Sequence, residues 1–329
     1  MTVGQRGEHA LLEWLRQQLP GPGTGVIIGI GDDAAVLAPT RGAWLVQTTD
    51  ALVEGVHFDL RWSTPDELGR RAVAVNLSDL AAMGARPAWL LLSLILPDTL
   101  PVAAFEALVT AVTAAARHAG ATLVGGNITR TTGPLVVDVT ATGHVRPRRV
   151  LRRDAARPGD ELWLTGSIGA AAAGLAMLRE GGPGDAACIA RYKVPAPRLR
   201  DAWAMAGDRA ARAAVDLSDG LADAVHQLTS ASGVGARLDA AALPIEPAAR
   251  AWFTARGDDP VLAAIGASDD YEMLFAVSPR AKGRLRAARA ASATPFTCIG
   301  TLTKQAGCVL TRDGVDAPLP TGFEHFASV

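Results

Sequence analysis

Lysine is almost absent from this chain: among its 32 lysines and arginines, the only lysines are Lys193, Lys282 and Lys304. None of the three follows the glycine pattern of a Walker A loop, which excludes that nucleotide-binding architecture. The protein-kinase signatures and the G-x-S-x-G elbow of serine hydrolases are missing as well. Any phosphate chemistry therefore has to use a different architecture.

Cysteines and long apolar runs are also scarce. Cys188, Cys298 and Cys308 are odd in number and lack metal-ligand spacing, which makes a disulfide framework or a zinc site a poor fit. No apolar run approaches the roughly 20 residues that span a bilayer, and the first six residues lack the apolar segment of a signal peptide. We expect a cytoplasmic protein with no membrane partner.

Charge of one sign is not in excess, because 32 basic residues face 33 acidic ones. The chain thus has no global field to attract nucleic acid. Its 329 residues suit two domains, and a stretch rich in Arg and Pro at 146–158 marks the boundary, giving domains 1–147 and 148–329. Helix and strand patterns mix throughout, so we predict an α/β fold in which each domain is a mixed sheet with helices packed on it.

Several acidic residues of the chain stand in turns or at the ends of predicted strands. The turn Gly29-Ile30-Gly31-Asp32-Asp33 precedes an apolar run, and on its own it fits a solvated turn as well as a ligand site. A predicted strand at 43–49 runs into Asp50, and another at 121–126 ends in Gly125-Gly126-Asn127. Side chains at strand ends are held by a rigid element, which favours ligand binding there.

Two further acidic motifs share the letters Leu-Ser-Asp. Asn76 and Asp79 lie on one face of a predicted helix from Ser63 to about Met83. Their polar side chains either cap a group inside the protein by hydrogen bonding or face a ligand site. An apolar strand delivers Asp216, Ser218 and Asp219 to its end, just before another helix. The likeness between the two motifs hints at related halves.

Six carboxylates at element ends would repel one another strongly if they converged. Two unit charges 4 Å apart cost about 4 kcal/mol at an effective dielectric near 20. All-oxygen ligands suit Mg²⁺ or Ca²⁺, and the EF-hand spacing is absent, which argues against a Ca²⁺ loop protein. Since Mg²⁺ typically takes one or two carboxylates plus substrate phosphates, these acids suggest a polyphosphate held by several Mg²⁺ ions. The six residues are Asp32, Asp33, Asp50, Asp79, Asp216 and Asp219.

In chain order these motifs resemble the thiamine-monophosphate kinase family, a relative of aminoimidazole ribonucleotide synthetase, selenophosphate synthetase and a hydrogenase maturation enzyme. The resemblance covers nearly the whole chain. It rests on Gly29-Ile30-Gly31-Asp32-Asp33, Thr48-Thr49-Asp50 with His57-Phe58, Asn76 to Ala85, Asp216 to Leu221, and Gly322-Phe323-Glu324-His325-Phe326.

The resemblance implies a homodimer that transfers the γ-phosphoryl group of ATP to thiamine monophosphate. It assigns ATP and Mg²⁺ binding and dimerisation to the first domain, and completion of the nucleotide and substrate site to the second. The implied Mg²⁺ ligands are Asp33, Thr48, Thr49, Asp50, Asp79, Asn127, Asp216 and Asp219, with Asp33, Asp50 and Asp219 as catalytic residues. The implied ATP contacts are Arg153, Ser218, Gly126 and Asn127, and the thiamine contacts are His57, Asp269 and Phe323.

The chain departs from the family pattern at three places. Asn127 stands where the family usually has Asp, so one negative charge is gone from a metal position. Asp269 replaces the family Glu, and Asp154-Ala155-Ala156 replaces Ser-Gly-Ala beside Arg153. These changes affect one metal ligand, one substrate contact and the register of one ATP contact.

Because the acceptor is itself an ionised phosphate, we expect direct in-line transfer without a general base or a covalent enzyme intermediate. The alternatives are another ATP-using enzyme of the same superfamily and a non-catalytic nucleotide- or metal-binding homologue. Selenophosphate synthetase would want a reactive Cys near the N-terminus, and the hydrogenase maturation enzyme a C-terminal Cys; this chain has neither. Asn127 is the one hint of lost activity.

Overall fold

A computed structural model of the protein describes residues 1–18, 23–30, 34–181 and 184–321. The chain divides into two compact units: unit 1 comprises Met1–Leu80 and Ala85–Pro147, and unit 2 comprises Ala81–Gly84 and Arg148–Val329. Two predicted site residues, Asp33 and Phe323, lie outside the described residues, and so does Asp32, which we expect to hold the turn.

Unit 1 contains a four-stranded sheet, a two-stranded ribbon and four helices in its described part. The helices are α1 (Val3–Arg6), α2 (Glu8–Gln18), α3 (Pro65–Ala82) and α4 (Val102–His118). The strands are β1 (Val26–Ile28), β2 (Val36–Leu37), β3 (Trp44–Val53), β4 (Arg86–Pro97), β5 (Thr122–Thr131) and β6 (Val136–Val145).

The main sheet of unit 1 has the strand order β3-β6-β4-β5. Strand β6 runs antiparallel to both neighbours, whereas β4 and β5 are parallel. Along β6 the residues Val137, Val139 and Ala141 are fully buried and alternate with half-buried ones. This alternation gives the sheet one core face and one open face.

Two strands are longer than the sequence predicted. We expected strands to end at Thr49 and Gly126, but β3 continues to Val53 and β5 to Thr131. The prediction that Asp50 and Asn127 stand at strand ends is therefore wrong, and both lie inside paired strands. Asp, Asn and Gly have low strand propensity, and pairing with neighbouring strands overrides that preference here.

Helix α3 begins where the sequence predicts. The Thr64 hydroxyl accepts the Glu67 N–H, and the Glu67 carboxylate accepts the Thr64 N–H, which forms a capping box ahead of Pro65. The helix is buried along most of its length from Leu68 to Ala82. It ends at Ala82, one residue before the predicted end at about Met83.

Unit 2 is a seven-stranded sheet with helices. Its helices are α5 (Ala170–Glu180), α6 (Ala186–Lys193), α7 (Leu199–Gly207), α8 (Leu221–Ser232), α9 (Pro247–Ala255), α10 (Pro260–Ile265) and α11 (Lys282–Ala290). Its strands are β7 (Glu161–Thr165), β8 (Ala211–Asp216), β9 (Gly235–Asp239), β10 (Met273–Val277), β11 (Phe296–Thr303), β12 (Cys308–Arg312) and β13 (Val315–Pro318). Short 3₁₀ helices occupy Pro147–Arg149, Arg153–Ala155, Ala240–Ala242 and Pro279–Ala281.

The sheet of unit 2 has the order β13-β12-β9-β11-β7-β10-β8, with β9 and β12 parallel and the other pairs antiparallel. Every residue of β10, which lies between β7 and β8, is buried. The main core lies between this sheet and α8, whose Leu221, Val225 and Leu228 are fully buried. Both units are thus mixed α/β layers, as predicted.

In the part of the chain that the structure describes, no helix combines the length and the apolar character needed to cross a membrane.

Candidate active site

The core face of the unit 1 sheet is joined to helix α3 through Thr48. The Thr48 hydroxyl donates a hydrogen bond of 2.5 Å to Asp79 Oδ2. Asp79 lies in the last turn of α3 and is half-buried. Asp50 points to the same face of the sheet as Thr48, about 7 Å further along β3. The structure therefore brings three of the predicted metal ligands to one side of the sheet.

Two other predicted ligands, Thr49 and Asn127, belong to the opposite, open face. The Thr49 hydroxyl donates to Asp138 Oδ1 at 2.9 Å. Asp138 lies opposite Ser93 on β4, and Ser93 lies opposite Asn127 on β5. Because neighbouring residues of a strand point to opposite faces, the run Thr48 to Asp50 does not form one cluster of side chains.

Asp138 is a polar residue of this open face that sequence reasoning missed. Its neighbours Val137 and Val139 marked the strand, and the alternation along β6 placed Asp138 on the other face. The contact with Thr49 depends on the pairing of β3 with β6, which are 89 residues apart at this point. No local pattern encodes that register.

Gly126 has a steric reason to be glycine. A Cβ at this position would lie 1.8 Å from the Leu92 carbonyl oxygen of the neighbouring strand. The close approach of β5 to β4 at this point therefore excludes a side chain. The predicted ATP contact at Gly126 stays a prediction alongside this structural role.

His57 lies in the loop after β3, and its ring is held locally. Its Nδ1 accepts the Val53 N–H at 3.1 Å, so the proton of the neutral ring is on Nε2. The ring is half-buried. This arrangement fixes the imidazole in the tautomer that can donate from Nε2 to a ligand.

In unit 2 the acidic motif stands at the end of β8, as predicted. Asp216 is the last residue of that strand and is buried opposite Met273. The Ser218 hydroxyl donates to Asp219 Oδ2 at 3.1 Å. Asp219 is half-buried and precedes α8 by one residue, Gly220. The end of β8 thus presents two carboxylates and a hydroxyl beside a helix N-terminus.

The loop that carries Asp269 runs alongside this motif. Tyr271 N–H donates to the Leu217 carbonyl at 3.0 Å, and Leu217 N–H donates to the Glu272 carbonyl at 2.9 Å. Tyr271 has a φ of 49°, an uncommon backbone conformation for a tyrosine. The structure therefore brings the predicted substrate residue Asp269 next to the predicted metal and ATP residues of the same unit.

The buried Asp270 carboxylate holds this loop in place through hydrogen bonds. Its carboxylate accepts the Gly169 N–H at 2.8 Å, the Ala171 N–H at 3.1 Å and the Ser268 hydroxyl at 2.8 Å. Burial raises the pKa of Asp270, although these hydrogen bonds act in the opposite direction. The loop is thereby joined to the first turn of α5.

Glu272 is the centre of a buried ionic network that the sequence did not reveal. Its side chain is 0% exposed and accepts hydrogen bonds of 2.6 Å from the Thr165 hydroxyl, Arg191 Nη2 and Arg198 Nε. Burial by itself lowers the pKa of Arg198, but the hydrogen bonds and charge of Glu272 outweigh it, so the pKa is raised. The network anchors the strand that follows the Asp269 loop.

Arg153 is placed apart from the end of β8. Its carbonyl accepts the Ser232 hydroxyl at 2.6 Å, at the C-terminal end of α8. Ser218 and Asp219 precede the other end of that helix, which is about 18 Å long. Within unit 2 the two predicted ATP contacts therefore lie at opposite ends of α8.

The described residues contain no group of three or more His, Cys, Asp or Glu side chains arranged to hold a metal ion by themselves. The oxygen donors of Thr48, Asp50 and Asp79 on one face still match the chemistry of Mg²⁺, which needs only one or two carboxylates when substrate phosphates complete its shell. The residues present therefore fit Mg²⁺ bound together with a phosphate ligand, and not a closed protein cage.

Comparison with known proteins identifies the family. The N-terminal domain model of the AIR synthase related proteins matches residues 31–145, and the C-terminal domain model matches residues 157–313. The thiamine-monophosphate kinase of Escherichia coli (strain K12) is 38% identical over 332 residues, which covers 98% of this chain and 99% of that protein.

Two solved structures are similar over nearly the full length. Thiamine-monophosphate kinase from Stenotrophomonas maltophilia K279a is 35% identical with a TM-score of 0.82, covering 94% of this chain and 98% of that one. A structure described as AaThiL complexed with AMPPCP and TMP is 29% identical with a TM-score of 0.76, covering 99% of each chain. The resemblance of the motifs is confirmed: the chain belongs to the thiamine-monophosphate kinase family of the AIR synthase related proteins, and it is a kinase.

Proposed function

We propose that this protein transfers the γ-phosphoryl group of ATP to thiamine monophosphate and so produces thiamine diphosphate. The hydrogen bond between Thr48 and Asp79 carries the proposal, because it joins two family motifs that are 31 residues apart. Relatives named thiamine-monophosphate kinase support it. A similar structure is also described as complexed with AMPPCP, an analogue of ATP, and with TMP.

The residues fall into the roles that the family motifs assign. Asp33, Thr48, Asp50, Asp79, Asp216 and Asp219 would hold Mg²⁺, with Asp33, Asp50 and Asp219 as the catalytic residues. Thr49 and Asn127 lie on the opposite face of the unit 1 sheet, so as Mg²⁺ ligands they would belong to a different ion from Thr48 and Asp79. Arg153, Ser218, Gly126 and Asn127 would contact ATP, and His57, Asp269 and Phe323 would orient thiamine monophosphate. When bound, Mg²⁺ neutralises phosphate charge and stabilises the charge on the transferred group.

The chain's own groups orient and bind the substrates. The Ser218 hydroxyl and the N-terminus of α8 favour a phosphate oxygen, because the helix dipole and unpaired N–H groups attract anions. The acceptor is already an ionised phosphate, so no general base is needed. Direct in-line transfer follows from this, and trapping a phospho-enzyme from labelled ATP would contradict it.

Formation of thiamine diphosphate from ATP, Mg²⁺ and thiamine monophosphate tests the proposal. Asp219→Asn should lower kcat at least ~100-fold, the size of effect seen when one transition-state contact is removed. Asp66→Asn is a matched control, since Asp66 is exposed and pairs with Arg70 on the surface of α3. Wild-type protein that binds ATP without turnover would favour the non-catalytic alternative that Asn127 suggests.

We propose further that two copies of the chain associate through the open face of the unit 1 sheet. Leu45 and Leu91 lie on this face and are 54% and 40% exposed. A mass twice the 34.0 kDa of one chain in light scattering would support the dimer. The roles of the two domains and the cytoplasmic location stay predictions from the sequence.

A further inference from the structure

A cavity of about 320 Å³ in unit 2 is lined by arginines. It lies between the segment that opens unit 2, the turn after α7, the start of β8 and helix α11. Six of its lining residues carry a guanidinium group: Arg148, Arg149, Arg157, Arg209, Arg212 and Arg284.

Little negative charge balances these arginines. Arg212 pairs with the buried Asp160 at 3.2 Å. The other five make no ion pair with any carboxylate in the described part of the chain. Guanidinium groups around one cavity repel one another, and an anion with several charges relieves that repulsion.

Arg209 occupies a position where arginine is disfavoured. Its φ is 53°, in the left-handed region, and its N–H donates to the Ala206 carbonyl at the end of α7. Glycine or asparagine is usual at such a helix end. An arginine held in a strained conformation at the wall of a cavity points to a role for its side chain.

We propose that this cavity is a binding site for a small polyphosphate anion, separate from the acidic site at the end of β8. Arginine matches phosphate oxygens with paired hydrogen bonds, and a triphosphate chain offers about as much negative charge as the unpaired arginines offer positive. The volume lies at the lower end of ligand pockets, so the ligand is a small molecule and not a nucleic acid.

The position in the fold separates the cavity from the acidic motif. Ala211 and Arg212, at the start of β8, line the cavity, while Asp216 ends the same strand about 17 Å away. Arg153, a predicted ATP contact, belongs to a 3₁₀ helix whose last residue, Ala155, lines the cavity. The experiment must therefore separate this cavity from the nucleotide site.

Calorimetric titration of the full chain with inorganic triphosphate, without divalent cations, tests the proposal. We expect one site per chain, and an affinity at least tenfold lower in the variant Arg209→Gln/Arg284→Gln. The matched control is Arg179→Gln/Arg250→Gln, which removes the same charge from exposed positions outside the cavity. Its affinity should change less than twofold.

Three results would overturn the proposal: absence of binding, an equal loss in the control variant, or an equal loss of AMPPCP binding with Mg²⁺ in the variant Arg209→Gln/Arg284→Gln. The last would assign the cavity to the nucleotide site. Thermal midpoints of all variants should match the wild type, because the four side chains are exposed. The calorimetric measurement of triphosphate binding does not depend on catalysis. A lack of triphosphate binding can therefore be distinguished from a lack of kinase activity.

Discussion

Replacing Glu272 by Gln should destabilise unit 2 more than almost any other single polar substitution. The change keeps the shape of the side chain but removes the negative charge that faces Arg191 and Arg198. Those arginines are only 25% and 16% exposed, so their charges lose a partner that water cannot fully replace. Breaking a buried ion pair by removing one partner costs about 3–5 kcal/mol. The N–H₂ group of the new glutamine would also place a hydrogen-bond donor against the N–H donors of the two guanidinium groups.

Urea unfolding followed by tryptophan fluorescence measures the effect. We expect the midpoint to fall for Glu272→Gln without a change in slope. Glu180→Gln is the matched control: Glu180 pairs with Arg256 at the surface, where its side chain is 50% exposed, and no resolvable change is expected. A loss below about 1 kcal/mol for Glu272→Gln would refute the reasoning, because it would mean that solvent already screens the network.

Three further outcomes follow from single contacts. Gly220→Ala should lower the free energy of unfolding by ~2 kcal/mol more than Gly233→Ala in the same urea assay. A Cβ at Gly220 would lie 1.8 Å from the Gly266 carbonyl oxygen, whereas a Cβ at Gly233 meets no atom within 4 Å. Burial raises the pKa of Asp270, so its contribution to stability is full below the unfolded pKa of about 4 and is lost as pH rises through the folded pKa. The wild type's stability relative to Asp270→Asn should therefore fall with rising pH; a difference that grows would contradict this. Asn127→Asp should keep or raise thiamine diphosphate formation and lower the Mg²⁺ requirement, whereas a large loss of activity would show that the position has a different role.

Local signals were strong enough to predict several elements of this fold. Thr64 and Pro65 marked the start of α3, and the alternation of Val137 and Val139 marked β6, because capping and side-chain periodicity depend on neighbours in sequence. The apolar run before Asp216 likewise predicted β8 and the acids at its end. These features need no knowledge of distant residues.

The two Leu-Ser-Asp motifs adopt different secondary structures. Leu-Ser-Asp stands inside helix α3 at Leu77 to Asp79, but it follows strand β8 at Leu217 to Asp219. The suggestion of related halves from this likeness therefore finds no support in the local structure of the two motifs. Burial of α3 on almost every side made one motif helical, and pairing of β8 with β10 made the other extended.

The sequence by itself determined the α/β class, the family and the chemical character of the candidate site, because these depend on local pattern and residue type. Only the tertiary structure decided which acids face each other. The pairing of β3 with β6 placed Thr49 beside Asp138, 89 residues away, and packing across 74 residues joined Arg198 to Glu272. Such contacts arise from how distant segments pack, and no short stretch of sequence encodes that packing.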